Sequence, residues 1–163
     1  DSLFYSDVNI AIYHKFTKKF KAKLTYFNIA FNADANLITD AHGMVYSNTV
    51  VFEGTYNFTP KHSLRFEFQG LFTEQDRGNW AAVVLEYSMS PHWFFAIIDQ
   101  YNYGNPVESE QVHYLYGTVG YIKDTTRISL AYGRQREGIF CVGGVCRAVP
   151  ASNGVNLTIT SSF

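Results

Sequence analysis

The feature of this sequence that most constrains its fold is a hydrophobic period of two, repeated along the whole chain. In residues 126–137, for example, Ile128, Leu130 and Tyr132 alternate with polar or small residues. No apolar run approaches the roughly 18 residues that a membrane helix needs, whereas a transmembrane strand needs only about 9–11 alternating residues. The alternation therefore predicts half-buried β-strands and excludes a helical membrane protein.

Nine segments carry this alternation, and the connections between them are alternately short and long. The predicted strands are 7–16, 20–31, 44–58, 63–74, 79–89, 92–103, 111–122, 126–137 and 154–163, and the long connections are 32–43, 75–78, 104–110 and 138–153. Outer-membrane barrels have short periplasmic turns and longer outer loops. The pattern predicts one domain over residues 1–163: an all-β, antiparallel up-and-down transmembrane β-barrel.

The odd number of strands bears on whether this barrel is complete. Single-chain bacterial barrels usually have an even number of strands, and this assignment makes residues 7–16 run inward. We therefore expect the C-terminal part of a larger barrel, or a chain cut in an outer loop. Alternatively, Leu3, Phe4 and Tyr5 are the remainder of one more strand.

Aromatic residues and the last strand support a membrane location. Aromatics make up 17% of the 163 residues, and they gather near strand ends, as the two interfacial belts of a membrane barrel do. One predicted belt is Phe16, Phe20, Phe58, Phe94 and Phe163, and the other is Phe72, Trp80, Tyr101, Tyr103 and Phe140. The final strand ends in a terminal Phe, which is typical of bacterial outer-membrane barrels, so Ile159 and Phe163 are predicted to form the barrel-assembly signal.

The segment from Gly133 to Arg147, followed by Val149 to Gly154, resembles the C-terminal hairpin of a Bacteroidota outer-membrane protein family of unknown function. The likeness is specific over about the last thirty residues and looser upstream. It implies a barrel in the outer membrane of a Gram-negative bacterium, and it brings no catalytic residues.

Charged residues of both signs are expected to point into the barrel, because a charge facing lipid at mid-bilayer costs about 2–4 kcal/mol. The predicted lumen network consists of Lys15, Lys21, Lys23, Glu53, Arg65, Glu67, Glu86, Asp99 and Arg127. Glu53 and Arg65 are expected to pair across neighbouring strands. The network either rigidifies a filled lumen or lines a polar channel, and its balanced charge argues against strong ion selectivity. The net charge of −1 gives no indication of nucleic-acid binding.

The only cysteines, Cys141 and Cys146, flank Val142-Gly143-Gly144-Val145. A Gly-Gly pair suits a two-residue hairpin turn, and the flanking cysteines would then face each other outside the reducing cytosol. A disulfide is therefore predicted, with metal binding or free thiols as the alternatives. Arg134, Arg136 and Arg147 surround this loop, which either binds anions such as lipopolysaccharide phosphates or is a solvated basic loop.

No catalytic residue, metal site or cofactor is predicted, since the five histidines lack metal-ligand spacing. His113, near Glu108 and Glu110 or paired with Asp99, is the one candidate for catalysis at the outer rim. The expected function is that of an integral outer-membrane barrel, acting as a channel, a transport component or a scaffold. Its expected partners are the bilayer, lipopolysaccharide, the barrel-assembly machinery, and other outer-membrane proteins or an N-terminal part of the same protein.

Two alternatives remain: a rim enzyme acting on lipid or peptide, and a soluble lipid-binding barrel. Burial separates the soluble barrel from the membrane barrel. Phe66, Leu130 and Ile159 are expected to be exposed if they face lipid and buried if the apolar set points inward.

Overall fold

A computed structural model of the chain describes residues 4–35, 43–142 and 145–162, and for residues 35, 138–142 and 145–147 it describes the backbone alone. Eleven strands and two 3-10 turns make up the described structure. The strands are β1 (Tyr5–Lys15), β2 (Phe20–Asn32), β3 (Met44–Thr59), β4 (His62–Phe72), β5 (Trp80–Met89), β6 (Trp93–Tyr101), β7 (His113–Lys123), β8 (Thr126–Gln135), β9 (Gly138–Val142), β10 (Val145–Val149) and β11 (Ser152–Ser161). The 3-10 turns are Ala33–Ala35 and Glu108–Glu110.

The main sheet has nine strands in the order β1-β2-β3-β4-β5-β6-β7-β8-β11, and β9 and β10 form a separate two-stranded sheet. Every neighbouring pair in the main sheet is antiparallel. Each predicted strand corresponds to one of the nine, with ends that differ by two residues or fewer. The prediction of an all-β, up-and-down antiparallel sheet is therefore confirmed. None of the described helices is long and apolar enough to span a membrane.

The sheet is open, and in this respect the closed barrel expected from the sequence is not what the structure has. Within the described residues, β1 pairs only with β2 and β11 pairs only with β8. Closing a barrel requires the two edges to meet at a fixed stagger. Here each edge instead keeps one side of its backbone without a ladder partner.

The connections alternate in length, as predicted, so the sheet has two different ends. The short-turn end carries the connections 16–19, 60–61, 90–92 and 124–125, and the long-connection end carries 33–43, 73–79, 102–112 and 136–151. Side-chain chemistry explains two of the short turns. Thr17 Oγ1 accepts hydrogen bonds from the backbone N–H groups of Lys19 and Phe20, and Thr59 Oγ1 accepts from those of Lys61 and His62, which is the hydroxyl-capped turn that Thr favours.

The register divides the side chains of the main sheet between two faces, because residues directly opposite each other point the same way. The polar face includes Lys23, Glu53, Arg65, Glu67, Glu86, Gln100, Thr118, Ser129 and Thr158, and the apolar face includes Ile10, Leu24, Phe52, Phe68, Leu85, Ile97, Leu115, Leu130 and Leu157.

Burial is concentrated on the polar face. Its apolar members Val84, Phe94, Ala96 and Ile98 form the hydrophobic core of the described structure, and Phe94 is only 2% exposed. Gly120 lies directly opposite Phe94, and the Phe94 ring covers it so closely that a side chain at position 120 would collide with the ring. The hydrophobic core therefore lies on the polar face of the sheet.

The apolar face is exposed. Ile10 is 60% exposed, Ile97 57%, Leu130 49% and Ile159 64%. Phe66 is partly buried, because the rings of Phe52 and Phe68 each lie 6.0 Å from its own. The sheet thus presents a large apolar surface that no described residue covers.

Candidate functional sites

An ionic cluster occupies the middle of the polar face, where β3, β4 and β5 are neighbours. The Arg65 guanidinium donates from Nη1 to Glu53 Oε2 at 3.2 Å and to Glu67 Oε2 at 2.7 Å. Glu86 lies directly opposite Arg65 in the register and is buried. Gln69 Nε2 donates to the other oxygen of Glu67. The expected pairing of Glu53 with Arg65 is present, and one guanidinium bonds two carboxylates, with a third directly opposite it.

Of the other residues of the predicted lumen network, Lys23 borders this cluster, and the rest lie apart from it. Lys15, Lys21 and Lys23 are exposed on the polar face of β1 and β2, where Lys15 is opposite Lys21 and Lys23 is opposite Glu53. Arg127 is on the same face near the short-turn end, with its Cζ 4.1 Å from the centroid of the Phe94 ring. The predicted network is therefore a cluster bordered by Lys23, with Lys15, Lys21 and Arg127 closer to the short-turn end.

Asp99, which was predicted to belong to the same network, lies on the apolar face. It is opposite Val83 on one side and Leu115 on the other, while its neighbour Gln100 occupies the polar face. The two residues alternate without a bulge, so only one of them can share a face with Arg65.

Asp99 instead forms a pair with His113 at the long-connection end of the apolar face. Asp99 Oδ2 lies 2.7 Å from His113 Nδ1, and the Tyr101 ring stacks on the imidazole with centroids 4.1 Å apart. Among the described residues, Asp99 is the one hydrogen-bond partner of the His113 ring. The carboxylate and the stacked ring fix the orientation of the imidazole, which is what a general base needs, but no hydroxyl or thiol of the described residues forms a hydrogen bond with it.

A polar cavity of about 340 Å³ lies at the long-connection end, where connections 73–79 and 102–112 meet the ends of β5, β7 and β8. Its lining includes Arg77, Trp80, Asn102, Asn105, Ser109, Glu110, Val112, Tyr114 and Arg134. Trp80 and Tyr114 belong to the polar face, since they lie opposite Leu71 and Gln100. Their rings are 6.0 Å apart, and together they form the floor of the site.

Two arginines are stacked on this aromatic floor. Arg134 Cζ is 4.8 Å from the Tyr114 ring centroid, and Arg136 Cζ is 4.2 Å from that of Trp80, distances at which a guanidinium is attracted to a ring face. The preceding residue, Gly133, has a φ of +138° and lies so close to the Leu115 carbonyl that a side chain would not fit. The backbone conformation that carries the chain into this site thus requires glycine.

The loops around the cavity are ordered by their own side chains. Asn105 Oδ1 accepts a hydrogen bond from the Val107 N–H at 2.9 Å, and Gln111 Nε2 donates to the Asn105 carbonyl at 2.9 Å. The Gly104 N–H donates to the Asn79 carbonyl at 3.0 Å, which ties connection 102–112 to connection 73–79. The cavity is therefore a preformed feature of this end.

Burial lowers the pKa of the Arg136 guanidinium, and the nearby positive charge of Arg77 is the next largest cause of this decrease. Tyr114, Asp76 and Glu137 act in the opposite direction with smaller effects. Within the described residues, Arg136 Nε is buried without an acceptor, and Asn102 Oδ1 is buried without a donor. A positive charge and two hydrogen-bonding atoms are thus only partly compensated by protein groups.

The remaining predicted site residues lie in the hairpin and at the chain end. Cys141 is directly opposite Cys146 in the β9–β10 register, the arrangement expected for a hairpin. The side chains of Cys141, Cys146 and Arg147 are outside the described residues, so the disulfide stays a prediction. Phe163 also lies outside the described residues, and Ile159 is exposed on the apolar face.

Two members of the predicted aromatic belts are misplaced. Phe94 and Trp80 are on the polar face and are buried, at 2% and 9% exposure. Their height along the strands matched a belt, but their position in the alternation points them away from the apolar face. Trp93 occupies the corresponding place on the apolar face and is exposed, as are Phe16, Phe58, Phe72 and Tyr103.

Arg77, Asn102 and Tyr114 are site residues that the sequence pattern did not predict. Arg134 and Arg136 were predicted from the sequence as part of a basic loop. The residues that line the cavity with Arg134 are distant from it in sequence. The site could have been predicted from the topology, because all long connections of an up-and-down sheet lie at the same end. Asn79, which precedes Trp80, and Gln111, three residues before Tyr114, belong to those connections. Within the part of the chain that the structure describes, no group of three or more His, Cys, Asp or Glu side chains is arranged to hold a metal ion.

Comparison with known proteins places the chain by sequence. The family model of DUF6029, a family of unknown function, matches residues 1–163. No curated protein and no solved structure matches the chain.

Proposed function

We propose, starting from the fact that this chain belongs to DUF6029, a family of unknown function, that it is an integral protein of the bacterial outer membrane. Its nine-stranded sheet forms barrel wall, with the apolar face toward lipid and the polar face toward the interior. The Bacteroidota origin and the contacts with lipopolysaccharide and the barrel-assembly machinery belong to the same proposal. The hairpin cysteines form a disulfide in an outer loop, which comparing intact masses before and after reduction would test.

The observation that carries this proposal is the exposed apolar face. A soluble protein rarely leaves a contiguous apolar patch of more than a few hundred Å² in water. Here apolar side chains are exposed on β1, β6, β8 and β11 alike. The soluble barrel considered above requires this set to be enclosed, and the exposure of Leu130 and Ile159 argues against it.

The distribution of charge supports the same orientation. The register assigns Lys23, Glu53, Arg65, Glu67 and Glu86 to the polar face. Asp99 is the only carboxylate on the apolar face of the described strands, and it is close to a strand end. A charge at the lipid midplane is costly, and the cost falls toward the interfaces.

The polar face defines what such a wall does. In lipid every backbone hydrogen-bonding group needs a partner, so the free sides of β1 and β11 pair with further strands and complete a barrel. The Arg65 cluster then projects into the interior. We propose a channel or transport role if that interior is open and a scaffold role if it is filled, and single-channel conductance in planar bilayers separates the two.

Substitution of adjacent residues on opposite faces of β1 tests the membrane proposal. Ile10 is at the centre of the strand on the apolar face, and Asn9 is exposed on the polar face. Ile10→Arg should cost about 2–4 kcal/mol of membrane stability and reduce the amount of protein recovered in the outer-membrane fraction. Asn9→Arg should leave this amount unchanged. Equal recovery of both variants would contradict a lipid-facing apolar face.

A second candidate function, a rim enzyme acting on lipid or peptide, rests on the Asp99–His113 pair alone. The imidazole is oriented by a carboxylate at the level where lipid headgroups would lie. If the protein is a rim enzyme, His113→Ala should abolish hydrolysis of phospholipid or ester substrates while the barrel still assembles. If wild-type protein hydrolyses none of these substrates in detergent, the pair is structural.

A further inference from the structure

The cavity at the long-connection end has the size and chemistry of a ligand site. Its volume of about 340 Å³ is at the lower end of the range for small-molecule pockets, about 300–1,000 Å³. Trp80 is 9% exposed and Asn102 1%, so part of the lining is enclosed by protein. The cavity admits a molecule of about monosaccharide size.

The hydrogen-bond donors of this site are arginines, which favour an anionic ligand. Arg77 and Arg134 line the cavity, and Arg136 is held beside it over the Trp80 ring. Planar guanidiniums present paired N–H groups that match the oxygens of a phosphate or carboxylate. The buried Nε of Arg136 has no acceptor among the described residues. An anionic group that bound between Arg77 and Arg136 would also reduce the repulsion between them.

The acceptors show that an anion alone is not enough. Asn102 Oδ1 is buried and receives no hydrogen bond from the described residues, and a fully ionised anion has no proton to donate to it. Glu110 also lines the cavity and would repel a bare anion. Hydroxyl groups on the ligand would satisfy both acceptors, because a hydroxyl donates one hydrogen bond.

We propose that this cavity binds a phosphorylated sugar, with the phosphoryl group on the arginines and sugar hydroxyls on Asn102 and Glu110. The stacked arginines hold their guanidiniums in place before the ligand arrives, which lowers the entropic cost of binding. The sugar phosphate is either a free solute or the headgroup of a glycolipid. The floor residues Trp80 and Tyr114 are on the polar face, away from the proposed lipid side, which favours the free solute.

Binding to the purified full chain tests the proposal. Isothermal titration calorimetry in detergent uses three probes: glucose 6-phosphate, inorganic phosphate and glucose. We expect glucose 6-phosphate to bind at least about tenfold more tightly than either of the other two, since only it engages donors and acceptors together. Arg134→Gln should weaken its binding about tenfold or more.

Arg127→Gln is the matched control. Arg127 is also a β8 arginine stacked on an aromatic ring, 4.1 Å from the Phe94 centroid, but at the short-turn end. It should bind glucose 6-phosphate like the wild type. Because Arg134 is exposed, its substitution is not expected to disturb the fold, and the circular dichroism of both variants checks this.

A fourth probe distinguishes a free solute from a glycolipid headgroup as the ligand. It consists of phosphatidylcholine vesicles containing lipid A, a phosphorylated glucosamine lipid. Binding to free glucose 6-phosphate supports a solute site, and Arg134-dependent binding to the vesicles alone supports a headgroup site. Equal affinity for inorganic phosphate and glucose 6-phosphate would overturn the role of Asn102 and Glu110. If no probe binds, or if Arg134→Gln binds normally, the proposal is wrong. These measurements do not depend on the membrane location proposed above.

Discussion

The Arg65 cluster and the Asp99–His113 pair both join carboxylates to a basic group across neighbouring strands, but they lie on opposite faces and at different heights. The first is in the middle of the polar face, where one guanidinium bridges Glu53 and Glu67. The second is at a strand end of the apolar face, supported by a stacked tyrosine. The sheet thus keeps charge in its middle on one face only, as expected of a surface whose solvent at mid-height is lipid.

Removing Arg65 should have the largest effect of the changes that test this comparison. Arg65→Met removes the guanidinium that is hydrogen-bonded to Glu53 and Glu67 and lies opposite Glu86. Loss of one partner from a largely buried ionic cluster costs about 3 kcal/mol or more, and a side chain 25% exposed should be near the low end of that range. The free energy of unfolding from urea titration in detergent measures it. Arg65→Lys keeps the charge but not the paired N–H donors of the guanidinium, and it should lower the free energy of unfolding by less.

A loss below about 0.5 kcal/mol for Arg65→Met would mean that water screens the cluster as it screens surface pairs. The polar face would then be open to bulk solvent at its centre. That outcome would favour an open channel over a filled interior.

Moving a carboxylate down the apolar face should have the next largest effect. Ile97 is two residues from Asp99 on the same face of β6 and is 57% exposed. In lipid vesicles Ile97→Asp should destabilise the protein by about 1–2 kcal/mol, because the cost of charge rises toward the midplane and is smaller for Asp than for Arg or Lys. Ile97→Asn is the uncharged control. If the two variants are equally stable in vesicles, lipid does not contact β6 at this height.

Breaking the Asp99–His113 pair should have the smallest effect. The side chains are 34% and 58% exposed, and pairs this exposed contribute about 1 kcal/mol or less. Asp99→Asn should therefore change the thermal midpoint little in detergent. A large destabilisation would show that the pair is a structural centre comparable to the Arg65 cluster, and the contrast between the two regions would fail.

The sequence predicted the sheet well because a period of two is a local property of each strand. The prediction was wrong where a shift of one residue in the alternation decides which face a side chain is on. In β6, Asp99 and Gln100 are adjacent polar residues, and the sequence does not decide which one belongs with the apolar set. Trp80 and Phe94 were assigned to the wrong face for the same reason, since a residue's height along a strand does not determine the face to which its side chain points.

The candidate binding site was less predictable than the sheet. The Glu53–Arg65 pair follows from register and could be predicted. The cavity at the long-connection end requires Arg77, Asn102 and Tyr114 to meet Arg134, and these residues are held together by loop hydrogen bonds such as that from Gly104 to Asn79. Neither these loop contacts nor the open edges of β1 and β11 follow from alternation within a single strand.

The up-and-down strand order has a consequence for how the chain folds. From β1 to β8, every strand pairs with its immediate neighbours in sequence, so each pairing closes only a small loop. The pairing of β8 with β11 is the exception, because the β9–β10 hairpin lies between them in residues 136–151. Loop closure costs more entropy as the loop lengthens, and non-local pairing slows folding. We therefore expect β11 to be the last strand to join the sheet and the first to leave it.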